Sequence, residues 1–159
     1  MRRWGDDEQF RATIAAIRER EPAATFRSNF IVGYPGETEE DHDRLLAFVD
    51  DVRLDWCGFF SFSEEEGTLA ATQDGTVAPE LMAERLRELG ELQDRITAER
   101  RADLIGARVE VLVAEAGVGR TYREAPEIDG VGLVADDLPV GEFATVVISA
   151  SLGPDLVAT

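Results

Sequence analysis

The stretch TFRSNFIVGYPGETEEDHDRLLAFVDDVRLDWCGFFSF, residues 25–62, decides the fold. Its first ten residues are β-branched and aromatic, with the densest apolar part at Phe30, Ile31 and Val32. That pattern predicts a strand covered on both sides, as in a parallel sheet. Pro35-Gly36 suits the central positions of a type II turn. Thr38 is a good N-cap, and Asp41 three residues on completes the spacing of a capping box. Leu45, Phe48, Val49 and Val52 then form the buried stripe of a helix, and Trp56–Phe62 reads as a second buried strand. Strand, helix, strand at these spacings is the βαβ grammar of a parallel sheet.

Outward from this core, Asp6 or Asp7 can cap a preceding helix whose Phe10, Ile14 and Ile17 share one face. Residues 63–78, SEEEGTLAATQDGTVA, read as a long irregular loop. Pro79 opens the longest helix, with Met82, Leu86, Leu89, Leu92 and Ile96 on one apolar face, and Gly106 stops it after Leu104–Ile105. Beyond Gly106 the period changes. Val109, Val111 and Val113 alternate with polar residues, and short strands are expected near 118–123, 131–135, 143–150 and 155–158. About five short strands in some fifty residues predict a small antiparallel β-barrel. The expected architecture is α/β over residues 1–105 and this small barrel over 106–159.

The chain has 159 residues, with 33 Asp plus Glu against 16 basic residues, a formal charge of −17. Such a balance disfavours a nucleic-acid groove or an anionic membrane surface and admits basic protein partners. Every basic residue is arginine, which excludes Schiff-base or P-loop lysine chemistry. One cysteine, Cys57, and one histidine, His42, exclude an intramolecular disulfide, a CxxC metal site and an iron–sulfur cluster held by this chain alone. Cys57 is expected as a small buried residue. His42, beside Asp41 and Asp43, is expected to be exposed, and without a nucleophile it makes no triad. The N-terminal MRRWGDDEQF has no apolar signal core and no run approaches a membrane span, so the expected compartment is the cytoplasm.

Three blocks stand in order: RSNFIVGYPGETEED at 27–41, LDWCGFFSFSEEEGTLAA at 54–71, and GRTYREAPEIDG at 119–130. Together they resemble the radical-SAM methylthiotransferases, most closely the RimO type, which modifies an aspartate of small-subunit ribosomal protein S twelve. The resemblance covers essentially the whole chain. It implies that residues 1–105 are the C-terminal part of a radical-SAM (β/α) barrel and that 106–159 are a TRAM domain. It also implies that the methylthiotransferase domain, the first barrel strands and the CxxxCxxC loop for the [4Fe–4S] cluster lie outside this chain. The cofactors implied are S-adenosylmethionine and that cluster; the partners are the basic ribosomal protein and an electron donor. This chain alone is then expected to be inactive.

The resemblance places the strand ending at Ile31-Val32-Gly33 against the adenosyl group. Ile31 or Val32 can wall the adenine, Gly33 admits close backbone approach, and Arg27 and Ser28 can bond the methionyl carboxylate or ribose if they face inward. The loop carrying Glu64, Glu65 and Glu66 would rim the pocket; tRNA-modifying relatives commonly carry a basic residue there. Over 106–159, nine acids stand against three arginines, a balance of −6. Glu127 and Asp129 can pair with substrate Arg or Lys, and Asp129-Gly130 can be a hairpin turn. Two other readings compete. One is a tRNA methylthiotransferase of the same family, which predicts salt-sensitive tRNA binding. The other is a non-catalytic acidic interaction module.

Overall fold

A computed structural model describes residues 6–159. The chain divides into two compact units, Met1–Gln93 and Asp94–Thr159. In chain order the first carries α1 (Asp7–Arg20), β1 (Arg27–Val32), α2 (Glu39–Val52), β2 (Trp56–Ser61) and most of α3 (Pro79–Ala102). The second carries the end of α3 and then β3 (Arg108–Glu115), β4 (Val118–Arg120), β5 (Gly132–Leu133), β6 (Phe143–Leu152) and β7 (Asp155–Ala158).

In the first unit β1 and β2 pair in parallel, Arg27 opposite Trp56 through Val32 opposite Ser61. The βαβ reading therefore holds. Local chemistry fixes its joints. Tyr34 O accepts from Glu37 N at 2.9 Å and Gly36 has φ +86°, the geometry of the type II turn. Thr38 and Asp41 form the reciprocal capping box that starts α2. The α2 C-terminus ends on Arg53 at φ 49°, and Arg18 of α1 donates to the last carbonyls, Val52 O at 2.6 Å and Arg53 O at 2.9 Å. A guanidinium there satisfies orphan acceptors and complements the helix dipole. One face of the sheet packs through Phe30, whose ring stacks on Phe59 and meets Phe48 of α2 edge-on.

Three expectations need correction. The first strand is not covered on both sides: its burial alternates, with Arg27, Asn29 and Ile31 exposed. The two-stranded sheet lays α2 on one face only, so period-two burial replaces the continuous apolar pattern. The second strand is not buried either: residues 56–59 are half-buried, and Phe60 and Ser61 are exposed. His42 is buried, not exposed, and its Nε2 lies 2.8 Å from Glu88 of α3. Position 42 shares a helix face with Leu45, Val49 and Val52, so it turns inward with them.

In the second unit the five strands close a barrel in the order β3-β4-β5-β7-β6. Val111, Val134, Val146, Ile148, Leu156 and Ala158 form its core, with Leu104, Val109, Leu138 and Ala144 packed against it. The expected antiparallel barrel is corrected at one seam, where β5 and β7 pair in parallel. An odd number of strands cannot alternate direction all the way around a closed ring, so one parallel pair is obligatory. The close pairing of β4 and β5 uses Gly119 and Gly132 directly opposite each other. A Cβ on Gly119 would meet the Val111 side chain at 2.3 Å.

Candidate functional site

The exposed face of β1 and β2 forms one wall of a hollow of about 650 Å³ that runs from the start of β1 past the C-terminal ends of both strands. Arg27, Ser28, Asn29, Ile31, Tyr34 and Phe60 line it, with the Ser61–Ser63 segment at the rim. The strands are parallel, so their C-terminal ends and the turns that follow converge on the same side, where α/β folds place ligands. Ile31 and Phe60 face each other in register and remain 43% and 56% exposed. Tyr34 meets Phe62 edge-on, with ring centroids 5.3 Å apart. The hollow thus offers apolar and aromatic walls together with hydroxyl, amide and guanidinium groups, a composition suited to a nucleoside-like ligand with a charged tail.

Of the residues expected around S-adenosylmethionine, Arg27 and Ile31 stand on the open face here, and Ser28, which alternates with them, also borders the hollow. Val32 does not. It is 0% exposed and belongs to the core, because consecutive strand residues point to opposite faces and Ile31 takes the open one. Gly33 has φ +85° and is pressed against α3, where an added Cβ would meet Met82 Sδ at 2.2 Å. Its N–H donates to Glu37 Oε2 at 2.7 Å. Gly33 therefore shapes the turn, and its backbone amide is already spoken for.

Glu64, Glu65 and Glu66 are exposed on the loop after β2. Thr68 bonds back to Glu65 O through both its N–H (3.2 Å) and its hydroxyl (2.8 Å), which shapes the end of this acidic stretch.

In the second unit, the segment after β4 carries Glu127 and Asp129. Glu127 is exposed and takes φ +64°, so the sharp turn falls on it rather than on Asp129-Gly130. Asp129 closes that turn by accepting from Ala125 N at 2.9 Å. Gly130 is required for a different reason: a Cβ there would meet Pro154 O at 2.1 Å. Sequence reasoning missed the group that holds this segment. Glu124 is buried, accepts from Arg101 at 2.5 Å, and takes both the N–H (2.6 Å) and the hydroxyl (2.8 Å) of Thr121. A second buried arginine, Arg85, was missed in the first unit; it donates to Glu37 at 2.7 Å and Glu39 at 2.5 Å. The spacing of four through Arg85, Leu89, Gln93, Thr97 and Arg101 on α3 was the available signal, since all five are buried.

Cys57, opposite Ser28 in the β ladder, is half-buried. Burial pushes its thiol up to about 12, with Arg27 pulling the other way and Asp55 adding to the rise. It stays protonated near neutral pH and is a poor thiolate ligand. Among the described residues no three or more His, Cys, Asp or Glu side chains are grouped to hold a metal ion. The residues of this chain do not fit an iron–sulfur cluster. No helix among them is long and apolar enough to cross a membrane.

Residues 105–159 match the TRAM domain family. Over 98% of its length the chain is 42% identical to a protein of Nocardioides sp. named ribosomal protein uS12 methylthiotransferase RimO. A protein of the same name from Saccharopolyspora erythraea is 44% identical over 99% of the chain, and one from Moorella thermoacetica is 47% identical over 84%. Over nearly its whole length the chain is similar to the C-terminal part of RimO proteins. It spans about a third of the length of these relatives: 34%, 34% and 31% respectively. The match extends over both units, so the hollow and the TRAM barrel lie in one stretch of sequence shared with these relatives.

Proposed function

We propose that this chain is the C-terminal portion of a radical-SAM methylthiotransferase that adds a methylthio group to an aspartate of ribosomal protein uS12. Residues 1–105 serve in this reading as the later part of the (β/α) barrel and 106–159 as the TRAM domain that helps seat the substrate. The observation that carries it is identity of 42% and 44% with RimO proteins over 98% and 99% of the chain.

The hollow fits S-adenosylmethionine. Ile31 and Phe60 supply an apolar wall for adenine, while Arg27 and Ser28 supply charge and hydrogen bonds for the ribose or the methionyl carboxylate. When bound, S-adenosylmethionine supplies the radical precursor and the methyl group. The work of this chain is to bind, orient and shield it. The cluster finds no ligands here, so this chain alone is inactive in this reading, and the intact enzyme draws its electrons from a separate donor.

The substrate follows from charge. Glu64, Glu65 and Glu66 lie on the loop after the strand whose end rims the hollow, and Glu127 is exposed in the TRAM unit. A surface of this sign attracts a basic ribosomal protein and repels a phosphate backbone. The test measures binding of the full chain to uS12 and to tRNA at low salt. Binding of uS12 that weakens with added salt, without tRNA binding, is expected. Salt-sensitive binding of tRNA in place of uS12 would overturn the substrate and support a tRNA-modifying enzyme instead.

A further inference from the structure

The turn that ends β1 is held by more contacts than a turn needs. Residues 34–37 close their own type II turn. Gly36 N also donates to Gly75 O at 2.8 Å, so the loop before α3 is bonded to the turn. Beneath it, Met82 and Arg85 stand one helical turn apart on α3 and so share a face. Met82 fills the space under Gly33 so closely that no side chain fits there. Arg85, 2% exposed, grips Glu37 with one terminal nitrogen and Glu39 with the other. Its Nε has no hydrogen-bond partner among the described residues. Glu37 passes the grip on: one carboxylate oxygen takes Arg85 and the other takes Gly33 N–H.

Burying a guanidinium is costly, and two carboxylates beside a strand-terminal turn are an expensive way to brace a helix. The chain of bonds has a direction. It runs from Arg85 through Glu37 to Gly33, and the same turn contributes Tyr34 to the hollow. We infer that Arg85 is a positioning residue for the ligand in the hollow: through Glu37 it presets the Gly33–Glu37 turn, so that Tyr34 and the end of β1 stand ready before the ligand arrives. Preorganisation of this kind raises affinity because the ordering cost is met in advance. This rests on the reading that the hollow takes S-adenosylmethionine, while the amide measurement below tests the clamp independently of any ligand.

The experiment uses the full chain, followed by NMR during titration with S-adenosylmethionine, and by hydrogen exchange without it. Wild type is expected to show saturable shifts at Ile31 and Tyr34 and a protected Gly33 amide. Arg85→Met should lose about tenfold in ligand affinity and a similar factor in Gly33 protection, as expected when one partner of a charged hydrogen bond is removed. Val49 and Phe59 should keep their protection. Arg85→Lys, which reaches one carboxylate at a time, should fall between, about threefold down. Lost Gly33 protection with unchanged affinity would overturn the inference and leave the hollow reading intact. Absence of shifts in wild type would overturn the hollow reading itself. If Arg85→Met loses protection throughout, Arg85→Lys decides: equality with wild type in both measurements would overturn the inference.

Discussion

The Arg101 guanidinium meets the Glu124 carboxylate at 2.5 Å, with side chains only 4% and 1% exposed. Arg101 also donates through Nε to Pro154 O at 2.9 Å, and Glu124 takes two bonds from Thr121. The last full turn of α3 is thereby tied to the segment after β4 and to the β6–β7 turn, all within the second unit. Removing one partner strands a buried charge. Glu124→Ala should therefore destabilise this unit by about 3–5 kcal/mol, whereas the double change Arg101→Met with Glu124→Leu should cost much less. Denaturant unfolding of the three proteins checks this, and equal losses for single and double variants would contradict it.

The capping box gives α2 a pH-dependent start. Hydrogen bonds from the Thr38 backbone and side chain hold the Asp41 carboxyl below its usual range. A carboxylate with a depressed folded value contributes fully above its unfolded value of about 4 and loses that contribution as pH falls through the folded one. Asp41→Asn should remove this part of the acid dependence, and Thr38→Ala should cost about 1 kcal/mol. Thermal melts between acid and neutral pH read both effects.

Cys57 has a thiol pushed up to about 12, chiefly by burial. In folded protein at pH 8 it should react with a thiol reagent much more slowly than a free cysteine, and denaturant should restore ordinary reactivity. Because the folded value lies above the unfolded one, the contribution to stability is complete below the ordinary thiol range and is lost as pH rises above it. A fast reaction in the native protein would show that the strand pair opens readily.

Two glycines of the barrel unit separate backbone freedom from close packing. Gly141 has φ +86° and open space where a Cβ would go, so Gly141→Ala should cost only the left-handed penalty, about 1 kcal/mol. Gly130→Ala would drive a methyl group into the Pro154 carbonyl, whose oxygen lies 2.1 Å from the Cβ position. A backbone atom cannot swing aside, so this variant should melt well below the first. Similar melting temperatures would mean that the Gly130 segment moves as a whole.

Where a residue and its partner lie close in sequence, the reading held. The type II turn at Pro35-Gly36, the Thr38–Asp41 capping box and the Asp6 cap on Gln9 N are all present. The parallel pairing of β1 and β2 followed from segment order. The site was only partly legible. Arg27, Ser28 and Ile31 reach the hollow, but Val32 was grouped with them because a dense apolar run hides which residues face which side. The turn after Glu124 falls on Glu127, two residues before Asp129-Gly130, because Gly130 is a contact glycine rather than a turn glycine.

Composition and local pattern alone determined that this chain carries a βαβ unit followed by a barrel of short strands, lacks the cysteines for a cluster and carries excess negative charge. Those properties depend on residue type, short-range spacing and segment order. Tertiary structure decided the rest. It turned His42 inward, opened one face of β1, and forced a parallel seam into a five-stranded ring. It also buried Arg85 and Arg101 against carboxylates that lie 48 and 23 residues away in sequence. An arginine on a helix looks like a solvated residue until the chain brings it a partner. Its desolvation is tolerated only where a distant carboxylate meets it, and no local pattern records that meeting.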